Sequence, residues 1–140
     1  MSECRRVGAT LVMAVGLATG WTFWAPVISM AGDNSVAVQV GGEAELDACG
    51  SVGEVYRLNP DGDNFLAVRA GPGSAHQMTD KLHSKTQVYM CDQNGAWIGI
   101  VYGPDDADCG VSTPIAERQS YAGVCASGWV HGRYIKLIAG

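Results

Sequence analysis

The chain predicts an all-β fold, a small antiparallel barrel or sandwich. Short runs rich in β-branched and aromatic residues recur from Gly50 to the C-terminus, separated by clusters of turn formers. No long stretch carries the 3.6-residue periodicity of a helix. With 140 residues, the chain has room for one such domain and a short additional segment.

That segment lies at the front. Arg5 and Arg6 precede an uncharged run, "VGATLVMAVGLATGWTFWAPVISMAG", that ends only at Asp33. Ser29 and Ala31 set small residues at the −3 and −1 positions of a cleavage point, so residues 1–31 read as a secretory signal peptide. The alternative is an uncleaved membrane anchor, for which the run is long enough, although Pro26 and the Gly/Thr interruptions weaken it. A membrane is a partner only in that case. Removing residues 1–31 leaves seven bases against thirteen acids, which disfavours nucleic acid and other polyanions as general partners.

Export into an oxidising compartment, periplasmic or secreted, turns the cysteines into disulfide candidates. Cys4 falls in the leader, leaving Cys49, Cys91, Cys109 and Cys125 and three possible pairings. Cys109 and Cys125 bracket one polar, turn-rich segment, which favours joining them; Cys49 and Cys91 then pair by elimination. No Cys-x-x-Cys motif exists, and His76, His83 and His131 are scattered, so neither a metal site nor a cofactor is expected.

Residues 32–48 are acidic and glycine-rich and read as a flexible linker, with Val36, Val38 and Val40 the alternation of a marginal strand at most. The domain proper spans 49–140. "GEVYRL" is its first strand, and "NPDGDN" the turn after it. In "FLAVRA", Leu66, Val68 and Ala70 share one face and Phe65, Ala67 and Arg69 the other. "GPGS" breaks that strand. "TQVYMCD" and "AWIGIVYG" are the arms of a hairpin around "QNG", and "SGWVHG" and "RYIKLIAG" close the chain. Residues 104–127, "PDDADCGVSTPIAERQSYAGVCAS", are long for a connection with little secondary structure, and a Cys109–Cys125 bond would order them.

The series Leu66, Val68, Arg69, Gly71, Pro72; Val88; Gly95, Trp97; Gly128, Trp129, Val130, Tyr134, Ile135 resembles the pattern of bacterial SH3-like (SH3b) domains. In that family an L-x-V-R-x-G-P strand, a β-branched strand, a turn, a Trp-containing strand and a terminal G-W-V-x-x-x-Y-[IL] follow in this order. The match runs from about Glu54 to Leu137 and departs from the pattern at the 104–127 insert and in its four cysteines. The resemblance implies a strongly bent antiparallel barrel of about five to seven short strands. It also implies a non-catalytic, extracytoplasmic module that binds peptidoglycan or an envelope peptide or protein. The alternative is a secreted structural or inhibitory protein that meets its partner through the stapled insert.

For ligand binding the candidates are Tyr89, Trp97, Tyr102, Trp129, Tyr134 and Arg69. The aromatics serve either as core or as an exposed groove for an extended peptide. Arg69 either forks a ligand carboxylate or braces the Gly71-Pro72 turn through loop carbonyls. The glycines of "GPG" are turn residues, since no Gly-Lys-Ser/Thr follows to cradle a phosphate. "DGDN" begins like a calcium loop, but the glutamate required at the twelfth position falls at Pro72. Asp105, Asp106 and Asp108 form a solvated acidic loop rather than a cation site. An enzyme is not expected: disulfide pairing consumes the thiols, and Ser112, Ser120 and Ser127 have no recognisable His–Asp partners.

Overall fold

The structure, a computed structural model, describes residues 34–140 except Asp106. The expected leader, residues 1–31, lies outside the described residues. The chain order is β1 (Gln39–Val40), β2 (Glu43–Asp47), β3 (Ser51–Val55), β4 (Leu66–Arg69), β5 (Met78–Leu82) and β6 (Gln87–Asn94). There follow β7 (Trp97–Tyr102), β8 (Pro114–Ile115), β9 (Gln119–Ser120), β10 (Ala126–His131), a 3-10 turn (Gly132–Tyr134) and β11 (Ile135–Ala139). The fold is all-β, and every strand pairing is antiparallel.

Seven strands make the main sheet in the order β11-β3-β6-β7-β10-β4-β5. The expected closed barrel is not formed by backbone pairing: among the described residues no ladder joins β5 to β11, and the sheet stays open there. It is nevertheless strongly coiled. Ile135 of β11 and Leu82 of β5, from its two edges, enter the same apolar cluster as Val55, Val68, Val88, Ile100 and Val130. Register shifts at Met90/Asp92 in β6, Val68/Arg69 in β4 and Leu137/Ala139 in β11 supply local bends. Gly128 allows β10 to approach β4, because a Cβ there would run into Val68 Cγ1 and stand 3.1 Å from the Arg69 carbonyl. The β6–β7 hairpin turns through Gly95 and Ala96, with Gly95 at φ +58° as a tight two-residue loop requires.

The linker expectation is corrected. Residues 38–48 carry β1 and β2, and Val38 and Val40 are 2% and 1% exposed. Their partners are in the insert: β1 pairs with β9 and β2 with β8. The insert is therefore not a loop thrown out from the sheet. It joins the N-terminal segment as a second layer on the outer face of the sheet, around a second core of Val40, Ala48, Cys49, Val101, Cys109 and Val111.

Period-two alternation explains how one sheet serves two cores. In β7, Ile100 and Tyr102 point into the first core and Val101 into the second. In β6, Val88 faces the first core while Tyr89 and Cys91 face the second. Both expected disulfides are present, Cys49–Cys91 and Cys109–Cys125. The first ties the second layer to β6. The second closes the insert, where the Tyr121 hydroxyl donates to the Cys109 carbonyl (2.8 Å) and accepts from the Cys125 N–H (3.2 Å). Asp92 fastens the layers: Oδ2 accepts the Gln39 N–H (3.0 Å), and Oδ1 pairs with Arg118 Nη2 at 2.7 Å.

Candidate functional site

A concavity of about 570 Å³ lies where the outward faces of β4, β7 and β10 meet the 3-10 turn. β4 buries Leu66 and Val68, so alternation turns Ala67 and Arg69 outward, with Phe65 ahead of them. The β7–β10 register sets His131 opposite Trp97. Their rings meet edge to face with centroids 5.4 Å apart, and His131 meets Tyr134 in the same way at 6.3 Å. His131 is also the N-cap of the 3-10 turn, its Nδ1 accepting the Arg133 N–H at 3.3 Å. One residue thus holds the ring row and the turn that presents Arg133.

Across the groove stands the β3–β4 connection, which carries Arg57 in a left-handed conformation (φ +59°). An Asn59 side-chain turn follows, Oδ1 accepting the Asp61 N–H at 3.0 Å. Arg57 stacks on Tyr56 at 5.0 Å and Arg133 on Tyr134 at 5.2 Å. Arg69, also on the lining, donates from Nη1 to the His76 carbonyl at 2.9 Å and thereby ties the two ends of the 70–77 loop. Ala70 N–H to Gln77 carbonyl (2.9 Å) and His76 N–H to Gly73 carbonyl (3.2 Å) complete that loop.

The structure therefore gathers Trp97, Tyr134 and Arg69 of the expected set in one groove. It adds His131, Arg57 and Arg133, which the sequence reading did not single out. A signal for His131 and Arg133 existed in "HGRY", where a histidine and an arginine flank the turn directly after the Gly-Trp-Val strand.

Tyr89 and Tyr102 lie elsewhere, on a second depression of about 460 Å³ beside Lys85 and Asp105. Tyr102 is mostly buried and donates its hydroxyl to Asp80 Oδ2 at 2.9 Å. Burial, and then the bond to the Asp80 carboxylate, push its phenol well above the ordinary tyrosine range. Trp129 belongs to neither depression. It is 2% exposed, and its Nε1–H donates to the Val36 carbonyl at 2.7 Å under the N-terminal segment. In this arrangement Trp129 is a packing residue, and its expected place at a ligand surface is corrected. Of the acidic loop, Asp108 Oδ1 accepts the Gly110 N–H at 2.9 Å, and Asp106 lies outside the described residues.

Compared with protein-family models, with curated proteins and with solved structures, the chain matches none.

Proposed function

We propose that this is an exported, non-catalytic binding module built on an SH3-like barrel, which takes peptidoglycan or an envelope peptide in the groove beside Trp97. Support for the fold is the order of its pattern residues and the coiling that brings both edge strands of the sheet into one core. Support for export is the N-terminal sequence together with two disulfides, which are typical of oxidising extracytoplasmic compartments. The observation that carries the binding role is the Trp97–His131–Tyr134 row, a stacking surface on the lining of a concavity. An extended peptide gains affinity in such a groove from ring contacts spaced along its length.

Co-sedimentation with purified wall material tests the proposal. Retention at low and moderate salt, reduced several-fold by Trp97→Ala, is expected; absence of retention under both conditions overturns it.

One observation favours a second reading, capture of a partner protein through the insert. Val124, beside Cys125 in the stapled loop, is 91% exposed. Because β8 and β9 hold the second layer, Val124→Asp is a cleaner probe than deletion of 110–124. Loss of a co-purified partner in that variant, with wall retention intact, would support it.

A further inference from the structure

We infer that the groove selects an extended peptide bearing carboxylate side chains. The inference rests on the binding role proposed above and adds the charge of the ligand. The described residues include eleven acids and seven bases. Three of those bases, Arg57, Arg69 and Arg133, line this one groove, with Asp63 as the single acid on its wall. Among the described residues none of the three has a carboxylate partner within 4 Å: the ion pair there is Arg118–Asp92, in the second layer. An acidic domain has carboxylates to spare for neutralising its own arginines. Here they stand elsewhere, with Glu43, Glu45 and Asp47 on β2 and Asp105, Asp108 and Glu117 in the insert.

The guanidiniums are presented for use. Arg57 and Arg133 are exposed, with Cζ over the rings of Tyr56 and Tyr134, a contact that restrains each guanidinium without using its N–H groups, which can then fork a carboxylate. The cations are mounted singly on separate rings, which suits charges spaced along a chain. A dense polyanion would also meet the repulsion of the remaining acidic surface. The groove reaches the open edge of the sheet at Met78, the first residue of β5, where an extended segment finds unpaired backbone.

The test uses three fluorescein-labelled decapeptides that share two tyrosines and differ only in carrying four Glu, four Gln or four Lys. Fluorescence anisotropy on the full-length secreted protein should give the Glu peptide an affinity roughly tenfold above the Gln peptide, with the Lys peptide weakest. Raising salt from about 0.05 M to about 0.5 M should shrink the gap. In the Arg57→Gln/Arg133→Gln double variant the Glu and Gln peptides should bind alike. Both side chains are exposed and, among the described residues, make no hydrogen bond or ion pair, so the unfolding midpoint reports any change in fold separately.

Equal affinity of the Glu and Gln peptides for the unmodified protein overturns the charge inference and leaves the groove reading standing. Retention of Glu-peptide selectivity in the double variant overturns it too. So does a single-stranded oligonucleotide competing as well as the Glu peptide, or anisotropy explained by arginine-dependent self-association. Failure of all three peptides together with failure of wall retention removes both proposals.

Discussion

Trp129 illustrates how one hydrogen bond can decide whether an aromatic residue serves packing or recognition. Its indole N–H reaches the Val36 carbonyl, and Val36 in turn donates to the Ala70 carbonyl at 2.7 Å, so the N-terminal segment is stitched to β10 and the end of β4. Trp129→Phe keeps the ring and deletes the donor. The expected loss is about 1 kcal/mol, read as a lower urea midpoint with an unchanged slope. Arg69→Lys keeps the charge but cannot hold the guanidinium geometry at the His76 carbonyl; it too should lose about 1 kcal/mol while wall retention persists. Tyr102 gives a pH signature. Its folded-state phenol titrates above the unfolded one, so its contribution to stability is complete below the unfolded value of about 10 and fades as pH climbs toward the folded value. The midpoint difference between the native protein and Tyr102→Phe should therefore hold constant from neutral pH to about 9 and shrink above about 10. A difference that grows in the alkaline range would contradict this assignment of the Asp80 bond.

At the scale of elements, the second layer hangs on two covalent ties and a small set of polar contacts. Chain-entropy arguments give about 3 kcal/mol for the Cys109–Cys125 closure and about 4 kcal/mol for the longer Cys49–Cys91 closure. Their local consequences differ. With Cys109 and Cys125 replaced by serine, amide protection should fall across the insert and in β1 and β2, which pair with it, while β6 and β7 stay protected. Uniform loss of protection across both layers would mean that they melt as one. The same contrast explains what the sequence disclosed. β4, β6, β7 and β10 are runs of β-branched and aromatic residues that announce themselves. β5, "MTDKL", is an open edge with four exposed residues, so it carries no apolar alternation to read. β1 and β2 become strands only because β8 and β9 arrive from some seventy to eighty positions later, and no local pattern encodes a pairing at that range. The cysteine pairing was accessible because turn-rich sequence lay between Cys109 and Cys125. The groove was half accessible: Trp97, Tyr134 and Arg69 sit on recognisable motif positions, whereas Arg57 and His131 owe their place to a left-handed turn and a cap.

For the whole molecule, the decisive feature is that the central strands have no solvent-facing side where the second layer lies. Val101 is fully buried between the layers, and Trp129 nearly so. The N-terminal segment is therefore a structural part of the domain, and a truncated protein beginning at Cys49 would keep every residue of the SH3-like pattern yet lose Val38 and Val40. Two fully buried valines contribute about 3 to 6 kcal/mol on transfer grounds, before the uncovering of Trp129 and Val101 is counted. Domains of this size are stable by only about 5 to 15 kcal/mol, so such a truncation should bring folding close to balance. The expected result is a midpoint lowered by more than half, a red-shifted tryptophan emission from the exposed Trp129, and new binding of a hydrophobic dye. Addition of a peptide spanning residues 34–48 should reverse all three in part, because its contacts are to preformed surface on β6, β7, β10 and the insert. If the truncated protein instead melts like the full chain and keeps blue-shifted emission, the second layer is a passenger on a self-sufficient sheet, and the two-core account of its stability fails.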